Sequence, residues 1–218
     1  MADVFLLRRL VTLVAFGLFA AGAAGEELKV KIAADLESVR VMHDGKPVTI
    51  MRNQDPNHTI SADYAKTSRD CPPFCVQPGT LAPGVETVGE LEVLGYLAAI
   101  ERGDKSILVI DSRTPDWLAK GTIPGSINLP WTKLNPEAGA DPIAIAETFE
   151  KRFGARSQEG LWDFSEAKTL VLFCNGPWCA QSPTNIRTLL KFGYPAHKIK
   201  WFRGGMQEWQ SLGLTVVK

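Results

Sequence analysis

From Thr87 to the C terminus, short apolar runs alternate with helix-patterned segments, and that alternation restricts the fold more than any other feature of the 218-residue chain. Residues 107–110 form a β-rich run followed at once by Asp111, and Ile127-Asn128-Leu129 forms a second. Thr169–Phe173 is apolar almost throughout, and residues 199–202 make a fourth short run. Between them, Thr87-Val88-Gly89-Glu90 reads as a capping box, with Leu91, Leu94, Leu97 and Ala98 at helical spacing up to Gly103. Thr114-Pro115-Asp116 starts a brief helix that stops at Gly121. Asp141-Pro142 opens one that ends near Gly154, with Asp as cap and Pro in the first turn. Ser182-Pro183 starts another, closed by Gly193, and residues 205–212 form the last. Strands without a polar face must be covered on both sides, so the pattern predicts an α/β domain: a parallel sheet between two helical layers. Reactive groups in such sheets sit in loops at the carboxyl ends of strands, which singles out the loop after Phe173.

That loop reads Cys174-Asn175-Gly176-Pro177-Trp178-Cys179-Ala180-Gln181-Ser182. A cysteine between a buried strand and a helix start lies where unpaired backbone N–H groups converge. Those groups and the positive end of the helix dipole stabilise the thiolate, the nucleophilic form. Gly176 lets the loop curl its amides inward. Cys174 is therefore the candidate nucleophile, and Asn175, Gly176, Pro177, Trp178, Cys179 and Ala180 form its surroundings. Cys174 and Cys179 lie five apart and could close a disulfide if the loop brought their Cα atoms within about 7 Å.

The first 86 residues are of a different kind. Residues 1–25 carry Arg8 and Arg9 ahead of an apolar run that ends in small residues, the plan of a cleavable export signal. The uncharged stretch 10–24 is shorter than the roughly 20 residues a spanning helix needs, so no stable membrane anchor is expected. The mature chain would then be periplasmic or secreted, where disulfides persist. Residues 26–86 form an extension. Residues 38–43 and 46–51 flank Asp44-Gly45, a strong hairpin signal. An Asn-, Asp-, Ser- and Pro-rich connector follows, ordered but irregular, and holds Cys71-Pro72-Pro73-Phe74-Cys75. Cys71 and Cys75 could form a local staple or exchange with the active loop. They offer half of a tetrahedral zinc site, and His43, His58 and His197 show no compact ligand spacing, so no metal is expected. With 24 basic and 24 acidic side chains the chain lacks the cationic surplus that nucleic-acid binding demands. Trp162, Trp201 and Trp209 are expected in the core.

From Thr87 to about Val217 the chain resembles the rhodanese (sulfurtransferase) family. Ile110-Asp111-Ser112-Arg113 is similar to the family's Asp-x-Arg, and Gly121-Thr122-Ile123-Pro124-Gly125-Ser126-Ile127-Asn128-Leu129-Pro130 to its Gly-His-Ile-Pro-Gly-Ala-x-Asn-x-Pro. Gly193-Tyr194 and Gly204-Gly205-Met206-Gln207-Glu208-Trp209 resemble its closing segments. The resemblance implies a rhodanese-like parallel sheet at residues 87–218, preceded here by the hairpin extension. It implies that Cys174 takes up sulfane sulfur as a persulfide from a small sulfur donor and passes it to a thiol or other nucleophile, without metal or organic cofactor. The loop departs from the family pattern: it is about two residues longer and carries no Arg or Lys to hold an anionic donor. Cys179 could take the place of that cation, and Thr122 stands at the usual histidine. Asp111 and Arg113 are expected to form a buried ion pair that props the loop, and Arg203 is a candidate anion holder beside it. Two other readings use the same residues. One is a rhodanese-fold thiol–disulfide protein working through Cys174 and Cys179. The other is a non-catalytic binding module that presents Trp178 and docks a protein partner through the extension.

Overall fold

The computed structural model describes residues 28–218; the export signal expected at 1–25 lies outside them. The extension opens with an antiparallel hairpin, β1 (Ser38–His43) and β2 (Lys46–Met51). Asp44 and Gly45 both take positive φ, 47° and 74°, as a tight two-residue turn with the right twist requires. The hairpin is sewn onto the end of the chain: Asn53 N donates to Gly213 O at 2.7 Å, and Met51 N to Thr215 Oγ1 at 3.0 Å. The connector then makes one helical turn, α1 (Ala62–Ala65), which its polar, aperiodic sequence does not announce.

The main domain follows with β3 (Glu86–Val88), α2 (Glu90–Glu101), β4 (Ile107–Asp111), α3 (Pro115–Leu118), β5 (Ile127–Asn128) and α4 (Pro142–Lys151). A small surface hairpin, β6 (Arg156–Gln158) and β7 (Leu161–Asp163), precedes β8 (Thr169–Phe173), α5 (Gln181–Lys191), β9 (Ile199–Phe202) and α6 (Gly205–Ser211). Thr87 does not cap α2 as its sequence suggested. Thr87 and Val88 are β-branched and pair with Trp201 and Phe202 at the sheet edge, so the helix start moves on by two residues. The Glu92 carboxylate accepts from Gly89 N–H at 3.0 Å, which makes Glu92 the acidic member of the box.

The five strands run parallel in the order β3-β9-β8-β4-β5, which places β8 in the centre. Alternate residues feed two cores. Val109, Val171, Phe173 and Phe202 face α2, the β1–β2 hairpin and Trp209 of α6. Ile110, Leu170, Leu172 and Trp201 face Ile145 and Phe149 of α4 and Ile186 and Leu189 of α5. The α/β architecture expected from the alternation is the one formed. Val39, Val41 and Ile50 of the hairpin join the first core, so the extension completes one helical layer. Trp201 and Trp209 are fully buried and Trp162 partly so. Among the described residues no helix is long and apolar enough to cross a membrane.

Candidate active site

Cys174 is the first residue beyond β8, and the loop it opens reaches α5 at Gln181. The second of two successive glycines allows that loop to sit against α6. Gly205 has φ of 55°, and a Cβ there would collide with the Cys174 carbonyl oxygen. With no side chain in the way, Met206 N donates to Cys174 O at 3.0 Å and Gln207 N to Asn175 O at 2.8 Å. The first turn of α6 thus spends its free amides on fixing the start of the loop.

Cys174 is buried, and its sulfur is held among donors and one acceptor, the Cys179 carbonyl oxygen at 3.4 Å. Burial alone would raise its pKa. The Cys179 thiol, the Ser182 hydroxyl at 3.1 Å and the N–H groups of Ser182 and Gly176 outweigh burial and hold Cys174 below the ordinary thiol range. Ser182 itself is oriented by Trp201, whose Nε1 donates to the same hydroxyl at 3.1 Å, leaving the hydroxyl proton to point at sulfur. Cys179 goes the other way: burial, its hydrogen bond to Cys174 and the charge there push its thiol well above the ordinary range.

Asp111 and Arg113 form the expected buried pair. Arg113 Nη2 lies 2.6 Å from Asp111 Oδ2 and Nε 2.8 Å from Oδ1, with both side chains wholly buried. The remaining donors explain why the pair stands here. Arg113 Nη2 also donates to Gly121 O at 2.6 Å, and Nη1 donates to Tyr64 Oη at 2.8 Å. Tyr64 in turn donates to Asn175 Oδ1 at 3.0 Å. Thr122, at the usual histidine position, donates its hydroxyl to Asp111 Oδ2 at 2.7 Å. A continuous chain of buried polar groups therefore runs from β4 through the connector's Tyr64 to the residue beside Cys174. Burial, only partly offset by Arg113, moves the Tyr64 phenol up to about 12, so it serves as a neutral donor.

Arg203 is engaged by the connector. Its Nη2 donates to Gln77 O at 2.8 Å and its Nε to Pro78 O at 3.0 Å, carbonyls that lie beside the end of β9. It clamps the connector segment whose Gln77 N–H is bonded to the loop. Trp178 is not presented to solvent either, which removes the basis for a binding module built on that side chain. The connector covers it: Phe74 packs edge-on at 5.6 Å, the Arg69 guanidinium lies 3.7 Å from its ring, and Gln77 N donates to Pro177 O at 2.7 Å. Its indole N–H donates to Gln207 Oε1 at 2.7 Å. Cys71 and Cys75, on either side of Phe74, are joined by a disulfide, while Cys174 and Cys179 are free thiols. Pro177 and Ala180 are the half-exposed members of the loop. Tyr64 and Arg69 were not singled out in the sequence. Their signal is weak, an aromatic and a cation in a connector otherwise made of small polar residues and proline. Among the described residues, no three His, Cys, Asp or Glu side chains are grouped to hold a metal.

A low-pKa thiol at the end of a central parallel strand, in a loop closed by a helix, defines a cysteine-centred α/β domain. Residues 96–212 match the rhodanese-like domain model, and the chain belongs to that family. Solved structures to which the chain is similar include the human single-domain sulfurtransferase, 23% identical, with 58% of this chain and 96% of that one covered at a TM-score of 0.38. The Pseudomonas aeruginosa thiosulfate sulfurtransferase is 19% identical over 61% of this chain and 20% of its own, TM-score 0.39. A Rhodopseudomonas palustris protein of unknown function, described as a possible tyrosine phosphatase, is 20% identical over 63% and 88%, TM-score 0.40. No curated protein matches the chain.

Proposed function

We propose that the protein is a sulfurtransferase that carries sulfane sulfur as a persulfide on Cys174. The observation that carries this reading is the set of donors around the Cys174 sulfur, the Ser182 hydroxyl at 3.1 Å foremost. The thiolate attacks the sulfane sulfur of a small donor, the donor's S–S bond breaks, and its electron pair leaves with the departing group. The outer sulfur of Cys174–S–S⁻ then passes to a thiol or other nucleophile, and the electron pair of the breaking bond returns to Cys174. The same fixed dipoles that hold the thiolate hold the persulfide anion, and in a dry cradle they are worth more than in water. The chemistry draws on no metal or organic cofactor.

The protein acts outside the cytoplasm, in the periplasm or after secretion, a reading supported by the Arg8-Arg9 leader and by the Cys71–Cys75 bridge. Incubating the Cys179→Ser chain, which leaves Cys174 as the one free thiol, with sulfane donors and mapping it by mass spectrometry should place one added sulfur atom on Cys174, and none should appear in Cys174→Ser. No adduct with any donor, or full transfer activity in Cys174→Ser, defeats the reading.

A further inference from the structure

The persulfide reading leaves Cys179 without a task, although the loop is shaped around it. Cys179 N donates to Gly176 O at 2.9 Å, closing a turn that folds the loop back on its own start. The fold-back brings the Cys179 carbonyl oxygen within 3.4 Å of the Cys174 sulfur, and both side chains are buried in one cluster with Trp178. Cys71 and Cys75 are tied to each other, so the thiol at hand for Cys174 is Cys179. Cys179 is already inside the site, whereas any other acceptor thiol has to come from solution. Well-oriented intramolecular partners reach effective concentrations on the order of 10⁵ M, far beyond any soluble thiol.

We propose that Cys179 resolves the Cys174 persulfide, releasing sulfide and leaving a Cys174–Cys179 disulfide. The proposal rests on the persulfide reading and names what becomes of the sulfur. Cys179 sulfur attacks the inner sulfur of the persulfide, and the bond between the inner and outer sulfurs breaks. Its electron pair departs with the outer sulfur, which also takes the Cys179 proton: Cys174–S–S⁻ and HS–Cys179 give Cys174–S–S–Cys179 and HS⁻. The proton passes to the outer sulfur before the attack, so the attacking group is the Cys179 thiolate and the leaving group is HS⁻. An external dithiol then reduces the bridge, becoming a disulfide itself and returning both thiols. The net reaction converts sulfane sulfur to sulfide at the expense of a dithiol.

The test uses the full chain with Cys71–Cys75 intact and Cys174 and Cys179 reduced, treated without oxygen with one equivalent of glutathione persulfide. Wild type should release one sulfide per chain, measured above the background of Cys174→Ser, and a non-reducing peptide map should show the Cys174–Cys179 bridge. Cys179→Ser should instead accumulate the persulfide on Cys174 and release no sulfide above that background. Cys179→Ala, matched to wild type by circular dichroism, serves if the serine variant does not fold. A wild-type chain that keeps a stable Cys174 persulfide, with neither bridge nor sulfide, overturns the resolving role and leaves the persulfide reading standing. Failure of wild type and variants alike to take up sulfur overturns both.

Discussion

Replacing Ser182 by alanine removes one oxygen that has two duties. It accepts the Trp201 indole N–H at 3.1 Å and gives its own proton to the Cys174 sulfur at 3.1 Å. A hydrogen bond to a charged group contributes about 1.5–3 kcal/mol. At about 1.36 kcal/mol per pH unit, its loss should raise the Cys174 pKa by about one to two units. The shift stops there because the amides of Gly176 and Ser182 stay in place. The same change strands a buried indole N–H, which costs about 1–3 kcal/mol of folding stability. The rate of Cys174 alkylation by iodoacetamide, followed against pH in a Cys179→Ser background, reads the first effect, and urea unfolding reads the second. Ser182→Thr keeps the hydroxyl and should restore both. An alkylation midpoint that does not move in a folded Ser182→Ala protein refutes the reasoning, since the hydroxyl would then contribute nothing to the thiolate.

Because Cys174 is lowered and Cys179 raised, one thiolate should form below the ordinary thiol range and a second only well above it, so alkylation at mildly alkaline pH should label one of the two. The stability that Cys174 contributes is complete above the unfolded thiol pKa and is lost as pH falls through its lowered folded value; the contribution of Cys179 is lost as pH rises through its raised one, and urea unfolding across pH should show both slopes. Tyr64→Phe removes the hydroxyl that bridges Arg113 Nη1 and Asn175 Oδ1, leaving their direct contact at 3.4 Å, and should cost about 1–3 kcal/mol in urea unfolding, with the loss growing if Asn175 is also changed. Converting Cys71 and Cys75 to serine opens a ring of sequence separation 4, which chain entropy puts at about 2 kcal/mol. The alkylation rate of Cys174 should rise in that variant, since Phe74 would no longer be held against Trp178; an unchanged rate would mean the connector is no cover.

The elements that could be read from the sequence are those whose signals are local. Asp44-Gly45 between alternating apolar residues suffices for a hairpin turn, and the apolar run 169–173 can only be a strand buried on both faces. Cys174 could be located because a strand end followed by a helix start is a local fact. Asp111 and Arg113 are two apart, and their pairing needs nothing distant. The missed features depend on contacts between remote parts of the chain. Tyr64 meets Asn175 across 111 positions and Arg203 meets Gln77 across 126, and no periodicity records either approach. Arg203 was placed near the anion site because it precedes Gly204 in sequence, yet the carbonyls that satisfy it belong to the connector. The β6–β7 hairpin escaped notice for a different reason. Its strands are three residues each with Leu161 largely exposed, too short and too polar for a period of two to be visible.

The connector also accounts for how a loop without Arg or Lys can hold a sulfur anion. Two guanidiniums reach the loop from outside it, and neither is a free counterion. Arg113 is paired with Asp111, and its outward Nη1 donates to Tyr64 Oη at 2.8 Å, Trp117 O at 3.2 Å and Asn175 Oδ1 at 3.4 Å, so it orders Asn175 both directly and through a neutral phenol. Arg69 lies over the Trp178 ring and donates to the Asp63 carbonyl, so its charge is given to a ring face and a backbone oxygen. What surrounds the Cys174 sulfur is dipolar: two amides, one hydroxyl, one thiol and the Cys179 carbonyl oxygen. Such a cradle suits a single negative charge, that of the Cys174 thiolate.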